Sequence, residues 1–186
     1  QDADQIRSRF PDAKIAFNAS PQDFNGNQLV ETIEAYAAQQ PDGLANLELE
    51  LTEQDIVDLD VDITTKLNQL INVGIRVAID DFGTGYSSLS TLQRLPFTTL
   101  KIDKAFVKGM GRNSKSRDLV QACVSIAHNL RLRCVAEGVD SEPDCEMLMR
   151  FGCDYFQGFL FDPGLEASLL EQRLIDQMQP IQVVAG

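Results

Sequence analysis

Six short apolar runs, each ending in a polar side chain and each separated from the next by a helix-length segment, constrain this chain more than any other feature. Lys14-Ile15-Ala16-Phe17 leads into Asn18, and Leu47 to Glu53 alternates Leu and Glu through Glu50. Val77-Ala78-Ile79 leads into Asp80-Asp81, and Thr99 to Asp103 carries Lys101. Arg133 to Ala136 leads into Glu137, and Tyr155 to Leu160 contains Gln157. Helical periodicity fills the intervals, at 29–39, 56–73, 87–93, 117–130 and 143–151, and again after the sixth run at 165–178, with Gly74 stopping the second of these. Strand–helix alternation at spacings of roughly 20 to 35 residues predicts right-handed βαβ units around a parallel sheet. Ligands of such sheets collect at the carboxyl ends of the strands, where all six polar groups would stand together.

The remaining properties bound the function. A length of 186 residues suffices for one domain with a sizeable core. A net charge of −12 argues against a surface for polymeric nucleic acid, while leaving room for a phosphate ligand whose charge a metal offsets. No run is long enough to span a membrane, and Gln1-Asp2-Ala3-Asp4 does not open a signal peptide, so this chain itself makes no membrane contact. Cys123, Cys134, Cys145 and Cys153 form no Cys-x-x-Cys pair and read as free thiols in a reducing cytoplasm. The single histidine, His128, lies in a helical run and reads as structural, leaving imidazole chemistry without support.

Asp80-Asp81 followed by Phe82-Gly83-Thr84-Gly85-Tyr86-Ser87-Ser88 admits two readings. One is a strand end and an ordinary turn, for which Asp and Gly are common residues. The other is a divalent-metal site, because adjacent carboxylates at a buried strand end repel each other unless a cation neutralises them. The strand-end set of Asn18, Glu50, Asp80, Asp81, Lys101 and Glu137 is rich in hard oxygen donors, which suits Mg²⁺ or Mn²⁺ better than zinc. Sites of that composition mostly handle phosphates, and no Ser, Cys or Thr is paired with a histidine base for covalent catalysis. Taken by itself, the Leu47–Glu53 alternation predicts a half-buried strand whose Glu48 and Glu50 face meets solvent.

These same residues carry a resemblance. Phe17-Asn18-Ala19-Ser20-Pro21, Leu49-Glu50-Leu51-Thr52-Glu53, Asp80 through Ser88, Leu100-Lys101-Ile102-Asp103, Ala136-Glu137-Gly138-Val139-Asp140 and Gln157-Gly158-Phe159 are similar to successive motifs of the EAL-domain family, over about residues 5 to 170. The resemblance implies an α/β fold of the TIM-like (β/α)8 type with its first strand reversed. It implies hydrolysis of cyclic di-GMP to pGpG with two ions of Mg²⁺ or Mn²⁺. By position, Asn18, Glu50 and Asp80 would hold one ion, and Asp80, Asp81 and Glu137 the second or its water. Lys101 and Glu137 would be catalytic, Lys101 orienting the water and Glu137 acting as base. Glu53 would couple the loop from Phe82 to Ser88 to the site. Gln157 would line the substrate side, with Asp103 and Asp140 behind the ligands.

The pattern also breaks. The namesake Glu-Ala-Leu is absent, only six strands are legible, and the chain is about 60 residues short of a typical barrel of ~250. The expectation is therefore an incomplete barrel lacking about two N-terminal strands. Residues 1–175 would form the C-terminal three-quarters of an EAL domain and 176–186 a tail. An incomplete barrel leaves sheet edges open, so a homodimer that exchanges elements is one way to close it. Without the namesake glutamate, the chain by itself is expected to hydrolyse weakly or not at all. Asp140 shortens a carboxylate that is usually Glu, and Phe159 replaces a tyrosine. The competing expectation is an inactive cyclic di-GMP receptor or signalling interaction domain, and the location of a membrane-tethered parent would rest on domains outside this sequence.

Overall fold

The computed structural model describes residues 6, 9–10, 13–39, 44, 46–57, 61–85 and 89–178. Six strands form one sheet: β1 (Ile15–Asn18), β2 (Leu47–Thr52), β3 (Arg76–Phe82), β4 (Thr99–Ile102), β5 (Arg133–Glu137) and β6 (Tyr155–Gln157). Their spatial order follows the chain, β1-β2-β3-β4-β5-β6, and every neighbouring pair is parallel. A doubly wound sheet would reverse its order partway. Unbroken sequential order with helical crossovers is the topology of a TIM-like barrel, here part of one. β1 and β6 are not hydrogen-bonded to each other, but Lys14 Nζ, just before β1, donates to Tyr155 Oη of β6 at 2.9 Å.

The helices are α1 (Gln28–Gln39), α2 (Glu53–Val57), α3 (Val61–Asn72), α4 (Leu89–Arg94), α5 (Lys104–Val107), α6 (Ser114–Asn129), α7 (Glu142–Phe151) and α8 (Ala167–Met178), with a 3-10 turn at Pro21–Phe24. Of the helix predicted over 56–73, α2 reaches Val57 and α3 runs from Val61; residues 58–60 lie outside the described residues. Gly74 ends α3 at φ 105°, a conformation that side-chain-bearing residues avoid. The helix predicted over 117–130 begins earlier, because Asn113 Oδ1 accepts from Lys115 N and starts α6 at Ser114. The sixth strand stops at Gln157 rather than Leu160, since Leu160 N turns back to the Val139 carbonyl. Residues 179–186 of the predicted tail fall outside the described residues.

The core sits between the sheet and the helices, on the outer face of the sheet. Leu49, Leu51, Val77, Ile79, Leu100 and Ile102 are fully buried there. They pack in one cluster with Phe24, Val30 and Ile33, with Leu67 and Leu70, and with Val120, Val124 and Leu148 of the helical layer. Because strands alternate, the opposite face of each strand is the barrel lining. Glu48 and Glu50 therefore point into the interior, with side chains 18% and 12% exposed, not into solvent. Parallel strands are covered on both faces, so the polar half of an alternating pattern turns toward the lumen here. Cys123, Cys134 and Cys153 are buried and Cys145 is half-buried, all as free thiols. Burial pushes the Cys123 thiol up to about 11. His128, on the surface, lies with Nε2 3.1 Å from Asp154 Oδ2. Among the described residues no helix is long and apolar enough to cross a membrane.

Candidate metal centre

Period-2 alternation delivers one lining side chain at the carboxyl end of each strand: Asn18, Glu50, Asp80, Lys101, Glu137 and Gln157. At the centre stands Lys101 on β4, only 5% exposed. Its Nζ lies 2.7 Å from Glu137 Oε1, 2.9 Å from Glu50 Oε1 and 3.1 Å from Asp80 Oδ1. Three neighbouring strands thus converge on one ammonium. Burial opposes its charge, but the hydrogen bonds to Glu137 and Glu50 and the surrounding anionic field outweigh that and hold Lys101 above the ordinary lysine range. Burial likewise raises Glu137 and Glu50 above the ordinary glutamate value. Lys101 pulls both down and repulsion from Asp80 pushes them up.

Asp81 needs a separate explanation. On a regular strand it would face away from Asp80, into the helical layer. Instead the β3–β4 register shifts between Ile79 and Phe82, and Asp81 takes a φ of 53°, uncommon for any residue but glycine. This bulge swings the Asp81 carboxylate to the same mouth as Asp80, and its own N–H donates to Asp80 Oδ1 at 2.9 Å. As a result, one ligand oxygen each from Asp80, Asp81 and Glu137 lie within 4.8 Å of one another. Burial, then Asp80, then the Asp103 carboxyl hydrogen-bonded to it, raise Asp81 above the ordinary aspartate value.

The surrounding residues divide into those that touch this cluster and those that do not. Asp103 is 7% exposed, meets Asp81, and accepts from Ala105 N at 2.8 Å, capping α5. α5 is a helix too short for periodicity to announce. Glu53 is buried at the start of α2, and its Oε2 accepts from Gly83 N at 2.9 Å and Gly85 N at 2.7 Å. One carboxylate oxygen therefore ties down the loop directly after Asp81; Tyr86, Ser87 and Ser88 lie outside the described residues. Asn18, exposed at the end of edge strand β1, stands in register with Glu50. Gln157, also exposed, stands in register with Glu137. Asp140 points elsewhere: its Oδ2 pairs with Lys108 Nζ at 2.8 Å and its Oδ1 accepts from Phe159 N at 3.3 Å, bracing the turn after β6. Those two bonds lower its pKa, the Lys108 contact most.

The donor set fits a hard divalent cation. It is composed of carboxylate oxygens in mutual repulsion, and burial adds to that repulsion in raising Asp81. A divalent cation between Asp80, Asp81 and Glu137 would relieve that repulsion.

A family profile for the EAL domain matches residues 1–163. The bifunctional diguanylate cyclase/cyclic di-GMP phosphodiesterase MucR of Pseudomonas aeruginosa is 39% identical over 160 residues, covering 86% of this chain and 23% of that protein. Among solved structures, a MucR phosphodiesterase in complex with c-di-GMP superposes at a TM-score of 0.80 with 37% identity, covering 90% of this chain and 68% of that one. The EAL domain of Mycobacterium smegmatis DcpA gives 0.87 with 35% identity, covering 96% and 81%. Klebsiella pneumoniae BlrP1, in a manganese/cyclic di-GMP complex, gives 0.73 with 26% identity, covering 86% and 43%. The chain spans about a fifth of the length of the curated relatives it matches.

Proposed function

This chain belongs to the EAL-domain family, and from that premise we propose that it is the C-terminal part of a metal-dependent phosphodiesterase that hydrolyses cyclic di-GMP to pGpG. The observation that carries the reading is the convergence of Asp80, Asp81 and Glu137 oxygens within 4.8 Å beside a lysine held by three carboxylates. A plain turn requires none of this. Two relatives carry cyclic di-GMP in their structures, one of them together with manganese, which supports both the ligand and the ion class.

Asp80, Asp81 and Glu137 would hold Mg²⁺ or Mn²⁺, with Glu50 and Asn18 completing a second position on the β1–β2 side. Bound divalent ions supply charge neutralisation at the phosphoryl oxygens and make a bound water acidic enough to serve as nucleophile near neutral pH. Glu137, held above the ordinary glutamate value mainly by burial, would serve as the base that takes a proton from the attacking water. Lys101 holds the Glu137 carboxylate and would add positive charge beside the attacking oxygen. The water oxygen would bond to phosphorus as the P–O3′ bond breaks, the departing O3′ would take up a proton from solvent to become a 3′-hydroxyl, and the ring would open to a linear dinucleotide with a 5′-phosphate. Glu53 holds the Gly83–Gly85 backbone, so that Asp81 keeps its bulged geometry. Gln157, next to Glu137, faces the substrate, and Asp103 fixes Asp81 from behind.

Asn18 sits on an edge strand with no further strand beside it among the described residues. On this reading the 186 residues taken alone are expected to turn over slowly. The test is to titrate the chain with cyclic di-GMP, with and without Mn²⁺, following binding and pGpG formation together. Manganese-dependent pGpG that disappears in Glu137→Gln supports the phosphodiesterase. Tight binding without any turnover, even in the longer protein, supports a receptor instead. No binding by either form refutes both.

A further inference from the structure

The lining face that carries carboxylates at one end of the barrel carries cations at the other. Along β3, Asp80, Ala78 and Arg76 share the lumen face; along β5, Glu137, Val135 and Arg133 do; before β1, Lys14 joins Ala16 and Asn18. At the strand starts, roughly 13 Å below the carboxylate cluster at ~3.3 Å per residue, these cations surround a cavity of about 100 Å³. Lys14, Glu48, Arg76, Thr99, Arg133 and Tyr155 line it, each from or beside a different strand. TIM-type interiors are ordinarily filled by bulky branched residues. Here the lining includes the small side chains of Ala16 and Thr99, which leaves the space open.

The charges in this cavity do not cancel. Glu48, its one carboxylate, is engaged by the Thr99 hydroxyl at 2.6 Å and by Arg133 Nη2 at 3.9 Å. Lys14 Nζ is hydrogen-bonded to a phenol and stands 4.2 Å from its ring centre, neither of which neutralises it. Arg76 has no ion-pair partner among the described residues. In a chain of net charge −12, an excess of two cations around one internal space is not a by-product of composition. The local field shows in Tyr155, whose phenol is lowered by its bonds to Lys14 and Arg133.

We propose that the strand-start end of the barrel interior is a second ligand site, distinct from the carboxylate cluster, that takes a small multiply charged oxyanion of the phosphate type. The volume sets the size class: about 100 Å³ is far below the ~300 Å³ and more of nucleotide-sized pockets. The donors set the chemistry. Two guanidinium forks suit bidentate contact with a tetrahedral oxyanion, while Lys14 adds a point charge. Glu48 limits the excess, which favours a dianion over a larger polyphosphate.

The test is a titration of the ¹⁵N-labelled chain with inorganic phosphate at constant ionic strength, with a chelator present so that no divalent ion recruits phosphate to the other end. Saturable shifts centred on residues 46–48, 76–78 and 133–135 and on the Arg76 and Arg133 side chains are expected. Arg76→Gln should weaken binding about tenfold, the loss of one charge-assisted contact. Arg76→Lys, which keeps the charge and guards against misfolding of the first variant, should weaken it by less. Shifts centred on 80–85 and 101–103, shifts that do not saturate, or equal affinity in both variants would overturn the proposal. None of these results depends on the phosphodiesterase reading, which concerns the opposite end of the strands.

Discussion

Lys101→Met isolates the electrostatic design of the carboxylate cluster. Replacing the ammonium with a thioether of similar length preserves volume and leaves Glu50, Asp80 and Glu137, with side chains 12–15% exposed, facing one another without a cation. The three contacts share one charge, so their energies do not add. Breaking a buried ion pair typically costs about 3–5 kcal/mol, a large part of a total stability of roughly 5–15 kcal/mol. At ~2–4 °C per kcal/mol for a domain of this size, the melting temperature should fall by about 6–20 °C at pH 7.5 in chelator. The pH dependence gives a second constraint. Lys101 is raised in the folded state, so its contribution is fully present below the ordinary value of 10.5 and is lost only as pH climbs through the raised value. Glu50 and Glu137 are also raised, so the folded protein binds more protons there than the unfolded chain. Stability from that source falls as pH rises, and the penalty for losing Lys101 must shrink as pH drops into their titration range. Thermal unfolding by circular dichroism at pH 7.5 and pH 5 measures both. A loss of under about 3 °C, or an equal loss at both pH values, would show that the ammonium is not neutralising the cluster.

Other perturbations probe the parts around it. Glu53→Ala strands the Gly83 and Gly85 amides and should cost roughly 2–5 kcal/mol. Hydrogen exchange at those two amides should accelerate more than exchange in β3, and uniform acceleration would mean the loop does not depend on Glu53. Manganese should compete with the protons that Asp81, Glu50 and Glu137 hold at raised pKa, so its affinity should fall between pH 8 and pH 5. Calorimetry in buffers of different ionisation enthalpy should detect proton release, and a flat profile would remove these carboxylates from the binding site. Gly158→Ala would place a Cβ 2.3 Å from the Val139 carbonyl oxygen and 2.4 Å from its nitrogen, both backbone atoms that cannot rotate away. A destabilisation of about 3 kcal/mol or more is expected in urea, and a tolerated alanine would mean the turn after β6 yields to an added methyl group.

Strand order, the parallel sheet and the shared carboxyl edge were legible because apolar runs and polar strand ends are local signals that survive without tertiary information. Two features of the cluster were not. Periodicity assigns Leu49 and Glu50 to opposite faces but cannot say which face meets water, and the default choice put Glu48 and Glu50 in solvent. A signal was present, since a strand in a parallel sheet has no solvent face to offer. Asp81 is the second case. Adjacent residues of a strand diverge, and only a register shift with a positive φ brings both aspartates to one mouth. The glycines just beyond hint at an irregular backbone, but no spacing rule locates the bulge. Asp140 shows the converse: its motif position suggests proximity to the cluster, while Lys108, on a segment with no sequence signal for this, holds it at the β6 turn.

The split between an apolar outer face and a charged lumen has a bearing on how the chain folds. In an ordinary half-exposed strand, slipping the pairing by one residue trades buried side chains for wet ones, and water softens the error. Here such a slip in β2 would drive Glu48 and Glu50 into the helical layer and leave Leu49 and Leu51 in the polar lumen, so both faces object together. The residues arranged for chemistry thereby double as proof-readers of assembly, rejecting misaligned sheets before any ligand is met.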